Sequence, residues 1–440
     1  MLLKRANHSG YIYTSSGKCV AYDALDGNLT IHAFEDTPEI EGQELIPTVG
    51  FDKKQYLLHT QIPVAIHGMG AYPFNCTYPL DWLIRDYACD CEISEARFSF
   101  QELQFFCPSI KAVKSTDTDV QFFLQPQEIQ TFEVTLDGKT CKVSFVVRSK
   151  GAYGLQSNMK TVSEIVIRFA ETADFSFLQK IYWMVDSVFA FICNRRNTTC
   201  TSMTLRGRGF WKSEMFFLDR YRENPEEDEV IQKSMFSMDM RLHIDKLFQL
   251  VAEDISRKDK DDPANISILS IHPSRQRRFL IDLQQSLHIT AAFEFYVKRY
   301  LPPMVEEKSH DTELKKLLQD FAATHPGKAK KKAKALLKHV VSEPALSDKI
   351  MKAYQGYAEW NALESCLPEK PLNVEALACA ANDWRNELAH EKRSYAPDAK
   401  VIAAIRLLEH LNYAIVLRGI GYSDGEIQDI LRRTLISINP

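Results

Sequence analysis

The period of the apolar residues changes once along the chain, and that change constrains the fold more than any other feature. Up to Phe169 apolar and polar residues alternate, as on half-buried strands; from Phe177 the apolar residues recur every three or four positions, as on helices. Two Asp-Gly pairs punctuate the first part. Asp26-Gly27 separates the stretch from Cys19 to Tyr22 from the run Leu29 to Phe34, and Asp137-Gly138 separates Thr131 to Leu136 from Cys141 to Val147. Asp-Gly readily takes the positive φ angles of a type I′ turn, so both sites predict tight antiparallel hairpins. A sandwich-like β region is expected over roughly 1–150, continuing from Val162 to Phe169. It contains no catalytic motif, and His32, His59 and His67 have no ligand spacing.

In the second part, Leu178, Ile181, Met184, Val185, Val188 and Phe191 fall on one helical stripe. An acidic loop at 222–230 precedes a helix expected over about 230–255, with Met238, Leu242, Leu247 and Leu250. The charged, Pro-ended stretch 256–263 is the best domain boundary. Beyond it the pattern is helical throughout. Helices are predicted at about 275–301, with a stripe of Leu280, Leu283, Leu287, Ala291, Glu294, Val297 and Leu301, and then at 311–323, 328–338 and 345–365. Three more follow: 373–390, one opening at Pro397 in its first turn, and one opening with the capping-box spacing of Ser423 and Glu426. The expectation is an α+β chain in two parts: a β-rich region with a helical extension over 1–265 and an all-α bundle over 272–440.

With 45% hydrophobic and 25% charged residues, the composition is that of a soluble globular protein, not a fibrous or disordered one. The net charge of −4 hides an asymmetry: residues 266–440 carry +4 and the remainder −8, so a polyanionic partner should meet the C-terminal part. The most apolar run, 181–193, is 13 residues long and holds Asp186; a spanning helix needs about 20. The first residues turn polar after three and have no apolar signal core, so a cytoplasmic, membrane-free protein is expected. Ten scattered cysteines without a CxxC pair read as reduced, packed thiols. No H-E-x-x-H, calcium loop, zinc-knuckle pattern, Walker loop or GxGxxG is present, so neither a metal nor a nucleotide cofactor is expected.

One octapeptide could do chemistry. In 383–390, Arg385 is followed by Asn386 and, five residues on, by His390. Arg is a permanent forked cation suited to phosphate oxygens. His takes and gives a proton near neutrality, and Asn386 can orient either neighbour. Together they form a minimal metal-free set for cleaving a ribose-phosphate backbone through the substrate's own 2′-hydroxyl. On an ideal helix Arg385 and His390 stand about 140° apart, so they converge only if the helix ends near His390. The bland alternative is a surface Arg and a helix-end His that caps carbonyls. Glu294, with Lys298 and Arg299 after it, is the second feature. A carboxylate on an apolar stripe needs a cation: either Lys298 one turn on, or Arg385 or His390 from a facing helix.

These residues bring a resemblance into view. An all-α bundle with E-x3-K-R on an early helix and R-N-x3-H near the end of a later one resembles the HEPN superfamily, many of whose members are metal-independent RNases. The whole chain resembles the ApeA-like branch of bacterial anti-phage proteins, and the segment from Ile181 to Thr199 is similar to part of that family's N-terminal region. The resemblance implies a catalytic set of Arg385, Asn386 and His390, with Glu294, Lys298 and Arg299 in support. It implies abortive-infection defence, an RNA substrate with tRNA among the candidates, a homodimer through the HEPN bundle, and a phage-derived trigger acting on the N-terminal region. Two alternatives stand beside it: a non-catalytic dimerisation or nucleic-acid-binding module, and a toxin controlled by a partner protein.

The segment 327–338 holds six lysines; Lys328, Lys330, Lys331, Lys332 and Lys334 are either a solvated helix face or a track for RNA phosphates that reads no bases. Arg275, Arg277 and Arg278 form a smaller basic patch.

Overall fold

Both Asp-Gly pairs make the turns their composition demands. In the computed structural model, Asp26 and Gly27 have φ of 49° and 76°, and Asp137 and Gly138 have 50° and 76°, the left-handed pair of a type I′ hairpin. The first joins β2 (Cys19–Leu25) to β3 (Asn28–Ala33), and the second joins β10 (Gln127–Leu136) to β11 (Lys139–Lys150). The structure describes residues 6–15, 17–33, 40, 42–64, 74–88, 92–108, 113–115, 120–122, 125–150, 160–170, 173–193, 197–207, 211–218, 241–256, 283–301, 309–340, 344–356, 373–389 and 397–436. They fall into two units, 1–258 and 259–440.

The first unit is built on one antiparallel sheet of 12 strands. With β1 (His8–Tyr13), β4 (Leu45–Gly50), β5 (Gln55–Thr60) and β6 (Phe74–Arg85), the pairings run β6–β3–β2–β1–β4–β5 and return to β6. Six strands therefore close into a small barrel, which leaves no free edge among them. Tyr22, Leu29, Ile31, Ile46, Leu58, Leu80 and Leu83 fill its core. Gly10, on β1, pairs with both β2 and β4, and a Cβ there would lie 2.1 Å from the Val49 carbonyl oxygen, so only glycine permits this approach.

From β6 the sheet continues open through β14 (Lys212–Phe217), β13 (Ser202–Gly207), β7 (Ile93–Phe98), β12 (Lys160–Phe169), β11 and β10. A separate two-stranded ribbon joins β8 (Val113–Ser115) and β9 (Val120–Phe122). Helices α1 (Gln101–Phe106), α2 (Phe175–Ile192) and α3 (Ile244–Ser256) pack on one face of the open sheet through the rings of Phe106, Phe145, Phe189 and Phe248. The other face carries an ion-pair ladder in which Glu164 takes Arg148 at 2.6 Å and Arg97 at 3.5 Å, and Glu95 takes Arg168 at 3.0 Å. The segment after α2 is tied down by two carboxylates: buried Glu102 accepts from the Thr199 amide at 3.0 Å, and half-buried Asp186 from that of Thr198 at 3.1 Å. The β-rich, antiparallel expectation holds, and its form is a barrel that opens into a sheet.

The second unit is all helical among the described residues: α4 (Leu283–Tyr300), α5 (Ser309–Thr324), α6 (Lys328–Val340), α7 (Leu346–Gln355), α8 (Val374–Ala389), α9 (Ala399–Gly419) and α10 (Asp424–Ile436). Helix α9 is buried along almost its whole length, the mark of a central helix. Asp398 caps it by accepting from the Val401 amide at 2.8 Å, so Pro397 precedes the cap rather than occupying the first turn. Ser423 and Glu426 form the capping box, with the Ser423 amide donating to the Glu426 carboxylate at 2.8 Å.

The face of α4 differs from the stripe predicted for it. Ser286, Ile289, Thr290, Phe293, Tyr296 and Val297 are buried, while Leu287 is 42% exposed. The assigned stripe was rotated because Ser286 and Thr290, small polar residues on the buried side, break the apolar period; Thr290 satisfies its hydroxyl on the Ser286 carbonyl at 2.8 Å. Helix α7 ends at Gln355, and the 357–365 part of the helix expected there lies outside the described residues. So do the 230–240 helix start with Met238, the acidic loop at 222–230, the boundary at 257–263, and Arg275, Arg277, Arg278 and Leu280. Leu242, expected on a buried stripe, is 68% exposed just before α3 begins.

Candidate functional site

Glu294 sits at the edge of the buried face of α4, beside Phe293 and Val297, with its side chain 27% exposed. Two cations from other helices meet its carboxylate. Lys349, on α7, donates from Nζ to Oε1 at 3.0 Å, and Arg385, on α8, donates from Nη2 to Oε2 at 3.4 Å. Of the two partners expected for Glu294, the facing-helix Arg385 is the one found, joined by Lys349; the local alternative, Lys298, stands exposed one turn on.

The three groups are graded in exposure. The Lys349 side chain is 12% exposed and that of Arg385 is 43%. Lys349 therefore anchors the carboxylate from the inside, and the carboxylate holds one edge of a guanidinium whose remainder faces water. The other terminal nitrogen of Arg385 donates to Asn386 Oδ1 at 3.5 Å. The outcome is an oriented, solvent-reachable fork of N–H donors, the form of Arg best suited to a phosphate. Trp384, buried at 2% exposure, roots this turn of α8 in the bundle together with Val374, Leu377, Ala378 and Ala381.

Helix α8 ends at Ala389. His390 is the next residue and lies outside the described residues, as does 391–396. Of the residues singled out in the sequence, the structure brings together Glu294, Arg385 and Asn386. Arg299 is half-buried in the last turn of α4. Lys328, Lys330, Lys331, Lys332 and Lys334 are exposed on α6, in a helical hairpin with α5.

Lys349 is the member that sequence reasoning missed. Its signal was the one that exposed Glu294: a charge inside an apolar stripe, here Leu346, Lys349, Ile350 and Ala353 at i, i+3, i+4 and i+7.

The family model described as Apea-like HEPN matches residues 287–426. The match runs from α4 to the start of α10 and includes Glu294, Lys349 and Arg385, so the C-terminal bundle is an Apea-like HEPN domain. No curated protein and no solved structure matches the chain. Among the described residues no helix is long and apolar enough to cross a membrane.

Proposed function

We propose that the chain is a metal-independent HEPN endoribonuclease of bacterial anti-phage defence, with the 1–265 region as its sensing and regulatory part. HEPN domains are associated with RNase activity and commonly bind RNA and dimerise. The observation that carries the reading is the chain of contacts from Lys349 through Glu294 to the exposed guanidinium of Arg385, on the turn of α8 that leads to His390.

In this mechanism His390, as neutral imidazole, removes the proton from the ribose 2′-hydroxyl, a step of general base catalysis worth about 10²–10⁴-fold. The 2′-oxygen attacks the adjacent phosphorus. Arg385 donates to the non-bridging oxygens as their charge grows, and it does so most effectively because Glu294 and Asn386 have already oriented it. The 5′-oxygen leaves with a proton, giving a 2′,3′-cyclic phosphate and a 5′-hydroxyl. One His cannot serve as base and acid in the same step. Two bundles related by a two-fold axis supply a second His390, so the working form is a homodimer with both Arg385–His390 sets in one cleft. Glu294 and Lys349 are positioning residues, and Lys298 and Arg299 add positive charge on α4.

The test is product chemistry. Purified protein incubated with RNA in EDTA should yield fragments ending in 2′,3′-cyclic phosphate with 5′-hydroxyl partners. Activity lost in EDTA and restored by Mg²⁺, or 5′-phosphate products, would overturn the mechanism.

A further inference from the structure

The α5–α6 hairpin has features that the site at Glu294 does not use. Among its described side chains only Ala322 on α5 and Ala333 on α6 are fully buried. Near the end of α5 the Phe321 ring is 44% exposed and lies flat against His325, with ring centroids 4.1 Å apart and planes 13° from parallel. The His325 Nδ1 atom is 3.2 Å from the Phe321 carbonyl oxygen and 3.0 Å from the Thr324 hydroxyl, so the imidazole is held in the stack. Gly327, at φ 81°, turns the chain into α6. There Lys328, Lys330, Lys331, Lys332 and Lys334 follow at once, all exposed. Phe321 lies three residues before the end of α5 and Lys331 three residues after the start of α6. At 1.5 Å per residue both sit about 5 Å below the hairpin tip.

Left alone, this tip is poorly composed. Lys328 and Lys332, and Lys330 and Lys334, are like-charge pairs at i,i+4, and the cluster faces the positive end of the α6 dipole. The Phe321 ring and its neighbour Leu317, 66% exposed one turn down, leave flat apolar surface in water. A ligand that relieves both faults must carry closely spaced negative charges beside flat apolar faces. Single-stranded nucleic acid has both. A duplex hides its base faces, and an acidic peptide lacks them.

We infer that the tip of the α5–α6 hairpin binds single-stranded RNA, with a base stacked on Phe321 and the neighbouring phosphates held by Lys328, Lys331 and Lys332, which share one face of α6. The choice of RNA over single-stranded DNA rests on the ribonuclease reading above; the choice of an unpaired strand rests on the exposed ring.

The test uses full-length protein with Arg385→Ala, so that RNA stays intact, and measures anisotropy of a labelled 12-nucleotide RNA across a KCl series. Binding should favour the single strand over the same sequence in duplex by tenfold or more. Phe321→Ala should weaken single-strand binding about 5- to 100-fold, as loss of one stacked base does, with the salt slope unchanged. Phe321→Trp should restore it. Alanine at Lys328, Lys331 and Lys332 together should reduce the slope of log K against log salt by about 2, from roughly 0.7 per lost phosphate contact. Equal affinity for duplex, or an unchanged affinity in well-folded Phe321→Ala, would overturn the inference. So would hairpin variants that leave RNA binding intact but change the oligomeric mass, which would assign the surface to a protein contact. If wild-type protein binds single strands in this way yet never cleaves them, the ribonuclease reading fails while this one stands.

Discussion

Replacing Glu294 by Gln tests the positioning role most sharply, because it keeps the shape of the side chain and removes its charge. Glu294 meets Lys349 at 3.0 Å and Arg385 at 3.4 Å. The Lys349 contact is nearly dry, and a hydrogen bond between charged groups in such a place contributes about 1.5–3 kcal/mol. The Arg385 contact is half in water and contributes about 0.2–1 kcal/mol. Gln still accepts one hydrogen bond, so the net loss should be about 1–2 kcal/mol, a fall of roughly 2–8 °C in the melting temperature of a domain this size. Activity should fall further than stability. An unheld guanidinium misplaced by about 1 Å lowers kcat by up to about 10²-fold, so a 10- to 100-fold loss is expected with near-normal folding. The stability assay is thermal unfolding by circular dichroism of Glu294→Gln, Lys349→Met and the double variant; the cycle should give a coupling of about 1–2 kcal/mol between the two sites. A coupling near zero together with wild-type turnover in Glu294→Gln would refute the claim that the Lys349–Glu294 pair holds Arg385.

Three further outcomes follow from the same structure. Mixing His390→Ala subunits with wild type should give heterodimers of strongly reduced activity; a loss merely proportional to the mutant fraction would reject the shared cleft. His410 is buried on α9, and burial pushes its imidazole down to about 4, against the raising effect of its hydrogen bond to the Arg406 carbonyl. The unfolded chain therefore binds a proton that the folded one refuses as pH falls from about 6.5 to 4, and the domain should lose up to about 3 kcal/mol over that window; denaturant melts of His410→Gln should show a flatter pH dependence. Asp398→Ala removes the α9 N-cap and should lower stability by about 1 kcal/mol in the same melts.

What could be read from the residues was what is local. The Asp-Gly hairpins, the capping box at Ser423 and Glu426, and the helices at 309–324, 374–389 and 399–419 each follow from a few neighbouring side chains. Closure of the barrel was not legible, because the β1–β4 and β3–β6 pairings join strands far apart in sequence, and alternation shows which face is buried but not which strand lies alongside. The phase of α4 was misread for a chemical reason: its core side includes Ser286 and Thr290 while Leu287 faces water. At the site, Glu294 was legible as a charge on an apolar stripe and Arg385 as part of the R-N-x3-H spacing, each with a local reading beside the functional one. That they meet, and that Lys349 completes the set, depends on three helices packing together, which no spacing along the chain encodes.

The central claim is that the Arg385–His390 pair cleaves RNA without metal. Its most direct test is cleavage of RNA in EDTA by wild-type protein, Arg385→Ala and His390→Ala, each checked for native circular dichroism. The account predicts cleavage by wild type alone, leaving 2′,3′-cyclic phosphate ends. A well-folded His390→Ala protein that cleaves at the wild-type rate would contradict it.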